Sequence, residues 1–413
     1  MKTLIACPLS RFLSSSPLAV LLGFACPSLS AEASDFSSLS GLLPPQQSLA
    51  AALDRSCASA GNGLAARCSE LLALGADARR AAVHTLTPYQ FLPQTGMPIK
   101  LRISQIDTRS RLNALRANRA TATGGGSGDW EYRDGDLNVF LQGKYQASGK
   151  ARSLSSFDAD SFSSTAGLDY RFSENLVMGL ALGYTQTNTV MIAHQGDMDT
   201  NALMGSFFGN YYLPGDFYLD WAATYTGFDN DVQRNLRYPG FAGGASSRPN
   251  ADQYGMAVSL GKDFHYREWL FNPYVRFEYI HLHLDAYLER GGQGLGYAVN
   301  SQNDESFITI PGMQLSHHFS LHWGVLTPSI RFEWEHQHLN DDRKVRIRLA
   351  DAAAGLGNFV LPTGRPDRDY YNLGGSLTAT LPGGIGAFLR YEARLAQAPI
   401  SSQIVELGVR VPF

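Results

Sequence analysis

The sequence has no long apolar run, no excess of basic residues and few charged residues, and each absence excludes a class of protein. No run of eighteen or more apolar residues occurs in the 413 residues, and the mean hydropathy is -0.16, which excludes a membrane protein built from helices. The formal net charge of -3 excludes the basic excess of a nucleic-acid binder. Charged residues make up 17% of the chain, against about a quarter in a soluble domain. Any membrane crossing must therefore be made by strands.

The first 33 residues have the order of a secretory signal peptide. Lys2 and Arg11 precede the apolar run 17–26, and the segment closes on the small residues Ala31-Glu32-Ala33. This order predicts a signal peptide over residues 1–33 that is cleaved on export.

Cysteine is scarce, with four residues in the whole chain. Cys7 and Cys26 fall inside the predicted signal peptide, so Cys57 and Cys68 are the only cysteines of the mature protein. In an oxidising compartment two such close cysteines are expected to pair, and the small loop they close contributes roughly 2 to 3 kcal/mol. We therefore predict a structural disulfide; no C-x-x-C motif favours a redox or metal site.

The last segment of the chain alternates between apolar residues and small or charged ones. The apolar residues share one parity and are Val405, Leu407, Val409, Val411 and Phe413. A strand places alternate residues on opposite faces, so one face can meet lipid and the other water. A chain that ends on phenylalanine after such a strand resembles the terminal assembly signal of outer-membrane barrel proteins.

Beyond a flexible linker at 121–129, aromatic residues become frequent and alternating runs recur. The chain has 22 Phe, 19 Tyr and 5 Trp, and only five of these residues precede Trp130. The runs indicate a closed antiparallel barrel of twelve strands, because lipid offers no partner to an open sheet edge. The predicted strands are 136–147, 162–172, 176–188, 198–213, 216–230, 252–265, 269–284, 303–318, 322–337, 369–381, 385–398 and 402–413.

The connections between these runs fall into two lengths. Tight turns are expected at 173–175, 214–215, 266–267, 319–321 and 382–384. Longer polar or glycine-rich segments are expected at 148–161, 189–197, 231–251, 285–302 and 338–368. Outer-membrane barrels have short periplasmic turns and long outer loops. A soluble sandwich, the alternative, would not divide its connections in this way.

Two regions of helical character precede the barrel. Residues 34–97 form a leader, with helices expected at 46–55 and 64–83. A more basic segment follows within 98–129, where apolar residues recur at near-helical spacing. Its cations include Arg102, Arg109, Arg111 and Arg116.

A barrel over 130–413 that ends on an aromatic residue and follows a basic segment ending in Arg111-Leu112-Asn113-Ala114-Leu115-Arg116 resembles the translocator domain of autotransporters, the type V secretion family. The resemblance covers about residues 100–413. It implies an all-β membrane protein, a 12-stranded antiparallel outer-membrane β-barrel with a short N-terminal α-helical region and a linker helix in the pore. The region upstream is shorter than the usual exported passenger, and it shows no β-helix repeat.

The same resemblance implies a function and partners. The protein would be a membrane anchor and a translocation conduit for its own N-terminal segment, in the outer membrane of a Gram-negative bacterium. Its partners would be outer-membrane lipid and, during biogenesis, the secretion translocon and the β-barrel assembly machinery. We expect the protein to be a monomer and to bind no nucleic acid. The alternatives are a passive pore and a surface adhesin acting through the loops at 231–251 and 338–368.

Strand parity places a set of charged side chains on the inner, wet face of the predicted barrel. A basic helix within such a lumen could pair its arginines with the carboxylates. Alternatively, the helix lies in the periplasm and these charges solvate an open pore. The predicted pore-lining residues are Lys144, Asp169, Arg171, Asp220, Asp263, Arg276, Glu278, Arg331, Glu333, Arg390, Glu392, Arg394, Glu406 and Arg410.

No residue pattern predicts catalysis, a metal site or a cofactor. The pairs His281/His283 and His336/His338 have the spacing of strand metal ligands, but they share parity with aromatic residues of the presumed lipid face. A G-x-S-x-G motif is absent, and no helix is expected after the glycine-rich segment 291–296. We therefore expect no enzymatic activity.

Overall fold

The structure, a computed structural model, describes residues 36–88, 137–150, 156–191, 195–339, 344–362, 367–398 and 400–412. The predicted signal peptide, the predicted pore helix with its four arginines and the terminal Phe413 lie outside the described residues. In the part of the chain that is described, no helix is long and apolar enough to cross a membrane.

Twelve long strands form a closed antiparallel barrel, as the alternating runs predicted. Each strand pairs with the next, and the last pairs with the first, from Asn138 opposite Pro412 to Lys150 opposite Ile400. No sheet edge of the barrel therefore faces lipid. The strands are β1 (Leu137–Lys150), β2 (Phe157–Ser173), β3 (Leu176–Met191), β4 (Gly196–Leu213), β5 (Phe217–Tyr238), β7 (Asn250–Lys262), β9 (Trp269–Leu284), β13 (Gln302–His317), β15 (Gly324–Gln337), β18 (Asp369–Thr380), β19 (Gly386–Leu395) and β20 (Ile400–Pro412).

The barrel has an apolar outside and a polar inside, the reverse of a soluble protein. Large apolar side chains such as Leu182, Leu203 and Leu407 are exposed on its outer face. Polar side chains such as Thr165 and Gln253 are buried on its inner face. Apolar surface on this scale is stable only against hydrocarbon, so the outer face is the lipid face. In β20 the predicted assembly residues Val405, Leu407, Val409 and Val411 all point outward.

The two ends of the barrel differ. At one end, here called the turn end, short turns join β2 to β3, β4 to β5 and β18 to β19, and the barrel also begins and finishes there at Leu137 and Pro412. At the other end, the loop end, lie the long connections between β5 and β7, β9 and β13, and β15 and β18. Two short strands, β8 (Phe264–Tyr266) and β14 (Phe319–Leu321), pair with β9 and β15 at the turn end. The separation of short and long connections follows the prediction, but residues 319–321, expected as a turn, form β14, and β1 to β4 extend into the segments expected as loops at 148–161 and 189–197.

A ring of hydrogen-bonded pairs runs around the lipid face toward the loop end. Six hairpins close at the loop end. In each of them, a tyrosine hydroxyl or a tryptophan N–H on the first strand donates a hydrogen bond to a side chain on the second strand. The accepting residue lies two positions from the residue that is in register with the donor. Tyrosine and tryptophan side chains of this kind favour the head-group level of a membrane. The ring therefore marks where the hydrocarbon zone ends. Its pairs are Tyr145–Asp160, Tyr184–Asn201, Tyr225–Asp252, Tyr279–Glu305, Trp334–Asp369 and Tyr391–Gln403.

Three of the segments expected as long loops contain further strands. The wall strand β5 continues beyond the barrel and forms a hairpin with β6 (Phe241–Ser247). A separate four-stranded sheet forms above the loop end from β10 (Tyr287–Leu288), β12 (Tyr297–Val299), β16 (Lys344–Leu349) and β17 (Asn358–Pro362). Between β10 and β12, the short strand β11 (Arg290–Gly291) pairs with β6. We call the β5–β6 hairpin, the connection 285–301 and the segment 344–362, which contains β16 and β17, together the platform.

The leader folds into three helices rather than the two expected. These are α1 (Pro44–Cys57), α2 (Asn62–Ala73) and α3 (Ala76–Leu86). Two prolines open α1, where a missing N–H costs nothing. The single helix predicted over 64–83 is wrong, because Leu74 and Gly75 adopt extended dihedral angles and interrupt it. Cys57 and Cys68 form the predicted disulfide, which joins the end of α1 to α2. We call residues 36–88 the cap.

Candidate functional site in the lumen and the cap

Most of the charged residues that strand parity assigned to the lumen are buried on the inner face of the barrel. Two differ in burial from the rest. Arg171 is exposed at the turn end, and Arg394 is half-buried beside Asn372 and Tyr370. The buried residues are Lys144, Asp169, Asp220, Asp263, Arg276, Glu278, Arg331, Glu333, Arg390, Glu392, Glu406 and Arg410.

On one side of the lumen, arginines and glutamates form ion pairs within a strand and between strands. The guanidinium of Arg276 lies 2.7 Å from Glu278 and 3.1 Å from Glu333. The same Glu333 accepts a hydrogen bond from the hydroxyl of Tyr274. Buried ionic groups are stable only when opposite charges or hydrogen bonds compensate them. Here Arg276 is compensated by Glu278 on its own strand and by Glu333 on β15, beyond the intervening β13.

The ladder continues toward the strand that closes the barrel. Arg331 bonds Glu392, and Arg390 donates to Glu406 at 3.1 Å. Since these pairs join β15 to β19 and β19 to β20, the ladder also ties the strands together from the inside. The lumen wall is thus strongly ionic yet locally balanced.

Near the turn end of the lumen, three aspartates accept hydrogen bonds from asparagine amides. Asn138 donates to Asp169 at 3.0 Å, and Asn272 donates to Asp263 at 2.6 Å. The third pair is Asn210 with Asp220. All three pairs lie near the turn end, so carboxylates line that part of the lumen at several points around the wall.

The cap is packed onto the platform through one shared hydrophobic core. Leucines of all three helices, including Leu53, Leu71 and Leu86, are fully buried in it. The platform contributes Tyr297 and Ile347 among others, and the two parts supply nearly equal numbers of core residues. A segment of about fifty residues buries too little surface to be very stable alone. The cap and the platform therefore form one folding unit above the barrel.

A buried ion pair lies at the centre of this unit. The guanidinium of Arg234 meets the carboxylate of Glu289 through two bonds, Nε to Oε1 at 3.0 Å and Nη2 to Oε2 at 2.5 Å. Both side chains are at most 2% exposed. Arg234 also donates to the Leu295 carbonyl at 2.8 Å, and Glu289 accepts the backbone N–H of Tyr297 at 2.9 Å. The pair thus fixes the connection 285–301 against the wall strand β5.

Tyr297 connects this ion pair to the cap. Its ring lies 4.2 Å beneath the Arg234 guanidinium, and its hydroxyl donates to the Leu86 carbonyl at the end of α3 at 2.7 Å. Burial raises the pKa of the Tyr297 hydroxyl, so the group remains a donor at neutral pH. We call Arg234, Glu289 and Tyr297 the clasp.

Further contacts tie each helix to the platform. Arg55 of α1 donates to the Asn358 carbonyl of β17 at 2.7 Å. Glu70 of α2 accepts the hydroxyl of Tyr238 at 2.9 Å. Thr85 of α3 donates to the Arg237 carbonyl at 2.7 Å.

Within the cap itself, Gln46 and His84 join α1 to α3 through a 2.8 Å contact between the amide nitrogen and Nδ1. Burial lowers the pKa of His84, which favours the neutral imidazole there.

The glycine-rich segment 291–296 is a docking point for the start of α2. Gly294 has a φ of +103° and faces the backbone of the cap. A Cβ at this position would lie 2.5 Å from both the Gly63 carbonyl carbon and the Leu64 nitrogen. Only glycine permits this approach, so the segment is explained by packing rather than by phosphate binding.

The histidines noted in the sequence lie on the outer face near the ring of aromatic pairs. His336 lies 2.8 Å from Asp369, His281 lies 3.4 Å from Glu305, and His283 lies 3.4 Å from Asp285. Among the described residues, no group of three or more His, Cys, Asp or Glu side chains is arranged to hold a metal ion.

Neither the clasp nor the platform was predicted from the sequence. Arg234 and Glu289 lie 55 residues apart in segments expected to be loops. The one available signal was the alternation of Arg234, Leu236 and Tyr238, which continues the inward parity of β5 past the expected end of that strand at residue 230.

Comparisons with known proteins agree with this architecture. The family profile described as Autotransporter beta-domain matches residues 114–392. Among solved structures, the chain is similar to the translocator domain of the autotransporter NalP from Neisseria meningitidis, with a TM-score of 0.54 and 16% identity over 74% of this chain and 98% of the other. It is also similar to the beta domain of the Bordetella autotransporter BrkA, with a TM-score of 0.51 and 18% identity over 67% of this chain and 100% of the other. No curated protein sequence matches it.

Proposed function

Because the chain belongs to the autotransporter β-domain family, we propose that its barrel serves as membrane anchor and conduit for the export of its own N-terminal segment. The family and the fold support a setting in the Gram-negative outer membrane. In this proposal the turn end faces the periplasm and the loop end faces outward. The exported segment would be the cap, which stays attached to the barrel.

One observation carries the proposal: the cap and the start of the barrel lie at opposite ends. Leu86 of the cap is bonded to Tyr297 at the loop end, whereas the first barrel strand begins with Leu137 at the turn end. Residues 89–136 must connect these points over the length of β1, about 45 Å at the usual rise per residue. Hydrocarbon covers the outer face of the barrel, so the route through the lumen is the only one that avoids burying polar backbone in lipid.

Labelling of single cysteines in intact cells tests this proposal. Ser40 is exposed on the cap, and Glu174 is exposed in a turn between β2 and β3. Cys57 and Cys68 are bonded to each other, so they do not compete for the reagent. A membrane-impermeant maleimide should label Ser40→Cys in intact cells and Glu174→Cys only after the outer membrane is permeabilised. Ala353→Cys, in an exposed part of the platform, is the positive control. A Ser40→Cys variant that labels only in permeabilised cells would contradict export of the cap.

The basic segment 98–129 is proposed to occupy the lumen as a helix, with Arg102, Arg109, Arg111 and Arg116 facing the carboxylates of the wall. Glutamates and aspartates such as Glu333 and Asp220 supply acceptors at several points around the wall. Isolated exposed pairs would contribute little, but a network in a confined space can hold a helix.

Conductance across a planar bilayer tests this assignment. The purified mature chain should conduct weakly, and deletion of residues 98–128 should raise the conductance of single barrels severalfold. An unchanged conductance in the deleted form would show that the segment does not fill the lumen.

The remaining parts of the proposal follow the family. Residues 1–33 act as a cleaved signal peptide, residues 34–97 form the leader, and residues 130–413 form the barrel. Val405, Leu407, Val409, Val411 and Phe413 would be recognised by the barrel assembly machinery after the secretion translocon has exported the chain. We propose no catalytic activity and no cofactor. The loops considered for an adhesin hold the cap, so a surface ligand would meet the cap as well as the loops.

A further inference from the structure

The strand β5 continues above the barrel, and the cap packs on the side of this continuation that faces the barrel axis. Along β5, Asp220 and Thr226 are buried on the lumen face, and Arg234, Leu236 and Tyr238 have the same parity. Leu236 and Tyr238 are also members of the core shared with the cap. The alternate residues of this stretch are exposed, as Gln233 and Arg237 show. Since the parity does not change along β5, the cap packs on the continuation of the inner face.

The platform that holds the cap is a connected structure. The strand β11 pairs with β6, and β12 pairs with β16, so backbone hydrogen bonds link the connections of three successive hairpins. Such a platform cannot move one loop without the others. The side chains of the barrel wall just below the platform are buried even though they lie near an end of the barrel. Ala251 and Leu284 are examples.

From these two observations we propose that the cap is a lid: it covers the outer mouth of the barrel and closes the lumen to solutes from outside. This inference rests on the proposed export of the cap, and it adds that the exported segment works as part of the permeability barrier instead of serving only as surface cargo. The clasp and the close approach of Gly294 hold the lid in place.

The lid can be released by one substitution that leaves the barrel strands unchanged. In Gly294→Val, the new side chain would collide with the backbone at Gly63 and Leu64, and this backbone cannot rotate away. Gly355→Val is the matched control. Gly355 also lies in the platform and also has a positive φ, +83°, but a Cβ there would have no atom within 4 Å. Both variants carry similar backbone strain, and only the first displaces the cap.

Two neighbouring serines report whether the mouth is covered. Ser402 of β20 is 5% exposed and faces the lumen, and Ser401 beside it is exposed on the outside. Both lie at the loop end on β20, a strand that joins no platform loop, so a cap that covers the whole mouth would shield Ser402 from outside. Serine and cysteine have nearly the same shape, which makes Ser401→Cys and Ser402→Cys a matched pair.

The experiment measures the rate at which an impermeant maleimide modifies each cysteine in intact cells. Ser401→Cys should react rapidly in every background. Ser402→Cys should react slowly in the otherwise unchanged chain and with Gly355→Val, and at least about tenfold faster with Gly294→Val. Heat-modifiable gel migration should be equal in all variants, showing that the barrels are folded.

Two outcomes would overturn the lid. Rapid labelling of Ser402→Cys in the unchanged chain means that the mouth is open with the cap in place. Slow labelling that persists with Gly294→Val, when protease digestion shows the cap to be released, means that another part of the chain shields the lumen. In either case Ser40→Cys can still be labelled from outside, so the export proposal and the lid proposal fail separately.

Discussion

Replacing Glu289 with alanine is expected to detach the cap while the twelve strands stay assembled. The substitution removes the two carboxylate acceptors of the Arg234 guanidinium and the acceptor of the Tyr297 backbone N–H, and it leaves only the Leu295 carbonyl bonded to Arg234. Breaking a buried ion pair from one side costs about 3 to 5 kcal/mol, because the remaining charge has no compensation. That is comparable to the whole stability of a small folding unit.

Protease digestion of intact cells measures this effect. In the unchanged chain the cap should resist trypsin, because its helices are packed on the platform and bridged by Cys57 and Cys68. In Glu289→Ala the cap should be digested within the same exposure, whereas the barrel should keep its heat-modifiable migration. The lost ion pair between Arg234 and Glu289 lies above the ring of aromatic pairs. Its loss should therefore leave the pairing of the barrel strands below unchanged.

Arg248→Ala provides the matched control for an ion pair in the same region. Arg248 bonds Asp231 at 3.0 Å, but its side chain is 84% exposed. Such a surface pair contributes about 0 to 1 kcal/mol, and its loss should leave the cap protected. The double variant Arg234→Met with Glu289→Leu should restore most of the protection, because apolar side chains of similar size can replace a buried pair. If Glu289→Ala keeps a fully protected cap, the clasp does not hold it.

The barrel could be predicted from the sequence because its physical constraint is local and repeated. Lipid outside and water inside impose an alternation on every strand, and this alternation is visible along segments such as 176–188 and 402–413 without knowledge of what each strand pairs with. Parity also predicted charged side chains for the inner face, among them Arg276 and Glu392, which are buried in the structure. It did not reveal their burial, and Arg171, which has the correct parity, is exposed because β2 reaches the turn end there.

The cap and its platform could not be predicted because their order comes from contacts distant in sequence. Tyr297 is buried because Leu86, Arg234 and Phe359 surround it, and these residues belong to separate segments. Apart from β5, each platform strand is only two to seven residues long, too short for alternation to be distinguished from chance. The glycines of 291–296 are typical of a loop by composition, and only the approach of α2 gives Gly294 its role.

The substitution Gly167→Val should prevent assembly of the barrel. The Phe140 ring of β1 lies over Gly167 of β2 on the inner face, where the two residues are register partners. A Cβ at Gly167 would collide with this ring and would lie 2.5 Å from the carbonyl oxygen of Leu180 on β3. An aromatic ring can turn aside, but the carbonyl belongs to the ladder between β2 and β3, so the strands themselves would have to separate. Overpacking costs about 1 to 3 kcal/mol where side chains can adjust, and a collision with fixed backbone should reach or exceed the upper value.

Gly205→Val separates this collision from a general intolerance of valine for glycine. Gly205 lies within β4 of the same barrel, and a Cβ there would have no atom within 4 Å. The measurement is the amount of heat-modifiable barrel in outer-membrane fractions, together with labelling of Ser40→Cys from outside. Gly205→Val should match the unchanged chain in both, whereas Gly167→Val should lose both, since without a closed barrel the cap has no route to the surface. Normal barrel levels in Gly167→Val would mean that β2 and β3 adjust around the new side chain, and the close approach would then not be essential for closing the barrel. A normal barrel without surface labelling would instead place the defect in export, through the displaced Phe140 ring in the lumen.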